Sequence, residues 1–203
     1  MYLPRHFEET RLSVLHDVIR AHPLATLVTM ASSGLTANHI PLILDPGAGP
    51  NGTLRGHVAR ANPMWRDFSA EAGALAVFHG PQAYITPSWY AEKPTSGRVV
   101  PTWNYVAVHA SGPLVVFDDA AWVRALVENL TRQMEAPRPE PWSVADAPSE
   151  YIDAQISAIV GIEIPIARIS GKWKLSQNRN AEDREGVRRG LADGDDPMTS
   201  WIG

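Results

Sequence analysis

Hydrophobic positions along this chain recur with two periods, and turn residues mark where one gives way to the other. Leu12, Leu15 and Ile19, with Val18 beside them, predict a helix over residues 8 to 22 that Pro23 stops. Glu8 and Glu9 fall at its start, where acids favour the helix dipole. Residues 24 to 30 read as a strand, Ser32-Ser33-Gly34 as a turn, and residues 36 to 44 as a second strand. Pro41 suits an edge or bulge position there. The run DPGAGPNG is a flexible hairpin loop, and residues 53 to 59 return as a third strand.

Asn62-Pro63 predicts an N-cap and N1 pair opening a short helix through Phe68. An apolar strand is expected over 74 to 79, a turn at Gly80-Pro81, and another strand over 82 to 86. Residues 103 to 117 form a long strand or hairpin interrupted at Gly112-Pro113. Asp118 is the expected cap of a helix over 119 to 135, with Trp122, Leu126 and Leu130 on one face. Four prolines make 136 to 148 a surface connection, and a short helix follows over about 149 to 157. Residues 159 to 169 alternate as a strand that Gly171 to Leu175 extend, and a last helix covers about 181 to 190. Six or seven strands in hairpin-like order, with helices at the start, middle and end, are not βαβ alternation. They predict an α+β fold, mainly an antiparallel barrel with flanking helices.

Length adds the expectation of a single domain over 1–191, with 192–203 a flexible acidic tail. With no cysteine there are no disulfides, thiolate metal sites or cysteine nucleophiles. No apolar run approaches the roughly 18 residues of a membrane span. MYLPRHFEET lacks signal-peptide character, so a cytoplasmic protein is expected. The net charge of −4 disfavours direct DNA binding, which needs a basic face.

Chemistry concentrates in a few places. Residues 82 to 105 hold five of the sixteen aromatics, interleaved with amides and hydroxyls, which suits a planar ligand, a partner subunit or the fold itself. In His57 to Trp65 a strand runs into a helix start, where free N–H groups attract anions and Arg60 offers a bidentate fork. The alternative is a simple cap at Asn62 and a solvated Arg60. Two of the three lysines, Lys172 and Lys174, share one strand face, and Ser176, Gln177, Asn178 and Arg179 follow. That donor set suits a phosphate, ribityl hydroxyls or a carbonyl-rich ring edge; the alternative is a solvated basic edge. His39, His57, His79 and His109 fall on strands without a compact ligand spacing, so no metal site is expected. No nucleophile–base–orienter set can be assembled, and no catalytic residue is assigned.

The blocks MYLPRHF, GHVARANPMW, FHGPQAYITPSWY, VPTWNYVAVHASG and AIVGIEIPIARISGKWKLSQNR resemble the PaiB family of FMN-binding negative transcriptional regulators. The resemblance spans residues 1 to about 191. It implies a split β-barrel like that of the pyridoxamine-phosphate-oxidase-like flavoproteins, a homodimer, and an FMN site near the subunit interface. Carried onto this sequence, it places His57, Val58, Ala59, Arg60 and Asn62 at the flavin phosphate and ring, with His39 and Pro41 flanking the isoalloxazine. Lys174, Gln177, Asn178 and Arg179 would close the site, and Trp103 and Asn104 would contribute from its wall. The implied regulation is compatible with an indirect mechanism. The alternatives are a flavin- or haem-dependent oxidoreductase on the same barrel and a dimer that has lost its cofactor.

Overall fold

The computed structural model describes residues 1–202. After a 3-10 turn at Arg5–Phe7, its first strand corrects the sequence reading. Glu8–Glu9 form a short strand, β1, paired with Lys172 and Gly171, and the helix α1 is confined to Leu12–Ala21. The acidic pair therefore does not serve the helix dipole; the Glu9 carboxylate instead accepts from the Arg11 backbone N–H and guanidinium. Leu15, Val18 and Ile19 are buried, as their spacing requires.

Strands β2 (Leu24–Ala31) and β3 (Gly34–Pro41) form a hairpin that closes at Gly34, whose φ of 114° suits glycine. The strand expected to run to residue 44 breaks after Pro41, because the Leu42 N–H turns to donate to Pro23 O at 2.8 Å. Strand β4 (Ile43–Asp45) then starts a second sheet, and β5 (Thr53–Ala59) matches its expected bounds. Strand β6 runs unbroken over Ala74–Ile85, so Gly80-Pro81 is no turn. Buried positions are even-numbered up to Phe78 and odd-numbered at Ala83 and Ile85, so the dipeptide shifts the phase of the strand. Gly80 is needed for space: a Cβ there would sit 2.9 Å from Val106 Cβ.

A four-residue helix α2 (Lys93–Ser96) lies in the following loop. Strands β7 (Thr102–Gly112) and β8 (Val115–Phe117) are not hairpin partners, since β8 pairs in the other sheet. Helix α3 (Ala120–Glu135) is capped by Asp119, which accepts from Trp122 N, rather than by Asp118. Helix α4 spans Ser149–Ser157, as expected. Strands β9 (Ile159–Pro165) and β10 (Arg168–Lys174) belong to different sheets instead of continuing one another. Asn180 caps α5 (Ala181–Ala192). Beyond it the chain does not fray: Pro197–Trp201 make a 3-10 helix, and Met198 and Ile202 are buried.

The chain forms two compact units. One comprises His22–Val77 and Ala110–Ile169. It holds the sheet β4-β5-β9-β8 and the β2–β3 hairpin, in which β3 is the edge strand that Pro41 suggested. Helices α3 and α4 cover a core of Val123, Val144, Ile152 and Ile156. Gly161 leaves room for the Trp122 ring, which stacks on Phe117 with centroids 4.3 Å apart. At Gly112 a Cβ would lie 1.9 Å from Pro165 O. Gly112→Ala is expected to cost about 1–3 kcal/mol, the usual range for overpacking, and a thermal melt checks it.

The other unit comprises Met1–Ala21, Phe78–His109 and the chain from Ser170 onward. Here β10 lies between β1 and β7, so it is an interior strand and its lysines are no solvated edge. Gly171 admits Leu15 and Trp173, and Trp201 approaches Trp173 with ring centroids 6.3 Å apart. Gly186 and Gly190, one turn apart on α5, let that helix lie directly on Trp89.

Candidate functional site

The residues singled out from the sequence fall into two groups, one in each unit. His39, Pro41, His57, Val58, Ala59, Arg60 and Asn62 lie on β3, β5 and the turn after it. His39 Nδ1 is 3.3 Å from Thr26 Oγ1 on the neighbouring strand. Val58 is part of the core, and Ala59 N-terminal to the turn accepts from Asn62 N through its carbonyl. The turn is a three-residue 3-10 helix over Pro63–Trp65, shorter than the sequence suggested. Asn62 Oδ1 takes the Met64 N–H, and Asn62 Nδ2 donates to Asn38 Oδ1 at 2.8 Å. So short a helix offers little dipole, and one of its free donors is already satisfied. A cavity of about 230 Å³ adjoins it, lined by Thr36, Asn38, Asn62 and Asp67 among others.

The Arg60 side chain is partly exposed but not free. Its guanidinium forks onto Asp118, with Nη1–Oδ2 3.0 Å and Nη2–Oδ1 2.7 Å. Its Nε donates to Ser157 O and Nη2 also reaches Ile159 O. The hydrogen bond to Asp118 raises the arginine pKa and lowers that of the carboxylate. Four of the five guanidinium N–H donors are thus engaged, leaving little for a phosphate.

His57 differs in kind. Its Nδ1 is buried without a hydrogen-bond partner, and burial lowers its pKa. A base depressed in the folded state stabilises the fold fully above its unfolded pKa, about 6.5, and loses that contribution as pH falls through the lower folded value. His57→Phe is therefore expected to flatten the loss of stability between neutral and mildly acidic pH. Urea titrations at two pH values check this; an equally steep loss would contradict it.

The second group, Trp103, Asn104, Lys174, Gln177, Asn178 and Arg179, sits on β7, at the end of β10 and in the loop that follows. Lys174 Nζ donates to Thr102 Oγ1 and Trp103 O. Its pKa is lowered, first by burial and then by Lys172 and Arg179, so both of those cations lie close enough to repel the Lys174 ammonium. Lys172 is only 7 % exposed; its ammonium donates to Tyr2 O at 3.0 Å and lies 5.4 Å from the Tyr105 ring centroid. The Arg179 guanidinium sits 4.5 Å from the Tyr90 ring centroid. Among the described residues, no carboxylate is ion-paired with any of these three cations.

Two of the named amides are turned inward. Asn104 is fully buried and exchanges hydrogen bonds with Ser176 Oγ. The Gln177 side chain folds back to take Leu175 N at 2.7 Å and to donate to Trp173 O. Trp103, 53 % exposed, packs edge-to-face with Tyr84. Sequence reasoning missed Tyr90 as the platform under Arg179. The available signal was the Gly186/Gly190 spacing, which brings α5 onto the Trp89–Tyr90 segment.

The chemistry of this second group fits a phosphorylated flavin: ammonium and guanidinium groups not neutralised by an ion-paired carboxylate, and aromatic faces nearby. The first group offers amide and imidazole groups, suited to hydroxyls or to polar ring atoms.

Comparison with known proteins places the chain in a family of FMN-binding domains. Residues 1–168 match the family described as "Putative FMN-binding domain". An uncharacterized protein of Emericella nidulans is 36 % identical, over 94 % of this chain and 90 % of its own. The "Protease synthase and sporulation protein PAI 2" of Bacillus subtilis is 32 % identical, over 97 % of this chain and 92 % of its own. Among solved structures, the flavocytochrome Anf3 from Azotobacter vinelandii superimposes with a TM-score of 0.62 at 14 % identity, covering 91 % of this chain and 78 % of that one. That likeness supports the expected fold class, an α+β fold of the antiparallel split-barrel flavoprotein type. No helix among the described residues is long and apolar enough to cross a membrane. The chain belongs to the "Putative FMN-binding domain" family, the PaiB family that its sequence blocks resemble.

Proposed function

We propose that this protein binds FMN and that Lys174 and Arg179, with Lys172 behind them, hold the flavin phosphate. The observation that carries this reading is the grouping of Lys172 and Arg179 around the Lys174 ammonium, which both repel, with no carboxylate ion-paired to any of the three among the described residues. A dianionic phosphate relieves that repulsion and supplies acceptors for the free N–H donors. By contrast, Arg60 is held by Asp118 and two carbonyls, so we assign it to bracing the β5 turn. Arg60→Ala is expected to change FMN affinity far less than loss of Arg179, and fluorescence titration of both variants compares them.

FMN supplies hydride and single-electron transfer at its ring when bound. The chain's own residues would bind and orient it. In the unit that carries Lys174 and Arg179, Trp103 and Tyr84 offer apolar walls. Flavin released by denaturing the purified protein and identified by mass spectrometry tests the cofactor; riboflavin or no flavin, even after incubation with FMN, would overturn it.

Two finer readings accompany it. Leu35, 73 % exposed, and Leu24 on the β2–β3 hairpin are apolar groups that a second copy would cover, which supports the homodimer. A regulatory role of the PaiB type would be indirect, since the chain carries net charge −4. Salt-dependent retardation of promoter DNA would contradict that indirectness. The second functional reading is a flavin- or haem-dependent oxidoreductase, favoured by the unpartnered His57 Nδ1 and by the shared fold of a flavocytochrome. A Soret band on adding haemin would decide for it.

A further inference from the structure

The loop from Leu175 to Asn180 is wound more tightly than binding alone requires. Ser176 adopts φ 65°, a left-handed conformation that few residues other than glycine take. It is buried, and its hydroxyl lies 3.0 Å from Asn104 Nδ2 and 3.3 Å from Asn104 Oδ1. Gln177 binds the backbone on both sides of Lys174, the end of β10, through Trp173 O and Leu175 N, and Arg179 N donates to Ser176 O at 2.9 Å. Asn180 then caps α5. The strained residue is thus tied to strand β7 by its side chain and to Arg179 by its backbone. Strain of this kind costs of order 1–3 kcal/mol and persists only where the surroundings over-determine it.

We infer that Asn104 and Ser176 are positioning residues: they lock the loop in the one conformation that presents Arg179 to the flavin phosphate, and so make the site select FMN over riboflavin. The inference rests on the phosphate assignment above. It also reassigns two sequence candidates. Asn104 and Gln177 have their amides satisfied within the protein, so they shape the site rather than touch the ligand. A hydrogen-bonded lock is useful here because a long arginine left free would lose conformational entropy on each binding event.

Ser176→Gly is the informative variant, because glycine tolerates the left-handed backbone while the side-chain tie is lost. Its affinity for FMN is expected to fall about tenfold, equal to roughly 1.4 kcal/mol. Riboflavin affinity should be unchanged. Asn104→Ala, which cuts the same tie from β7, should show the same selectivity loss. In an Arg179→Ala background, Ser176→Gly should have no further effect on FMN, since a residue that acts through another is non-additive with it. Equal losses for FMN and riboflavin, or additive effects with Arg179→Ala, would overturn the positioning role. If Arg179→Ala alone leaves the FMN-to-riboflavin ratio unaltered, the phosphate assignment fails and takes this inference with it. If Arg179→Ala lowers the ratio and Ser176→Gly does not, the positioning role alone fails.

Discussion

Replacing Lys174 or Arg179 with alanine is expected to weaken FMN binding by roughly 10²-fold each, while riboflavin binding changes little. A hydrogen bond to a charged group contributes about 1.5–3 kcal/mol, and each 1.4 kcal/mol is a factor of ten. Lys174 donates to Thr102 Oγ1 and Trp103 O, which leaves one ammonium proton to offer. Arg179 is steadied by the Tyr90 ring and is ion-paired with no carboxylate among the described residues. Removing either group leaves a phosphate with a missing donor, and riboflavin has no phosphate to miss one. The pH dependence has a defined sign. Burial, then Lys172 and Arg179, lower the Lys174 pKa. The binding-competent form is the protonated one, so affinity is full below that lowered pKa and falls as pH rises through it. Lys174→Ala should remove this alkaline loss. Isothermal titration with both flavins across pH reads all of these effects; parallel losses for FMN and riboflavin would contradict the assignment.

The second large effect concerns the end of the chain. Met198→Ala is expected to destabilise the protein by about 2–5 kcal/mol, the range for truncating a fully buried methionine. Met198 is 0 % exposed, and Asp196 caps its turn by accepting Met198 N at 2.8 Å. Trp201 lies beside Trp173, and Ile202 is buried. Met134, exposed on α3, is the control, and its alanine variant should stay within about 0.5 kcal/mol of the parent. Thermal unfolding compares them. Equal stability of the Met198 variant and the parent would show that the tail does not pack.

These two cases also show what a sequence can and cannot reveal. Elements with self-contained signals were legible: β5 lies between turn-forming glycines and the Asn62 cap, and α4 follows a proline-rich connection. Signals that depend on a distant neighbour misled. Gly80-Pro81 reads locally as a turn, yet Gly80 is there to admit Val106. The acidic, glycine-containing tail reads as frayed, yet its Met198 and Ile202 find a core. Asp118 looked like the helix cap because its partner Arg60 lies 58 residues away, and Asp119 does the capping. The candidate residues were chosen by donor chemistry, which the sequence displays. Whether a donor is already engaged is a tertiary fact. Arg60 and Arg179 look alike in the sequence, but Arg60 is held by Asp118 and two backbone carbonyls whereas Arg179 rests on the Tyr90 ring. Likewise the Asn104–Ser176 tie spans 72 positions and has no local signature.

The most direct test of the central claim is a side-by-side titration of the protein with FMN and riboflavin, followed by the visible absorbance of the flavin. Saturable FMN binding with a shifted spectrum, at least tenfold tighter than for riboflavin as a charge-assisted phosphate contact implies, is the predicted result. No binding of either flavin, or equal affinity for both, would contradict it.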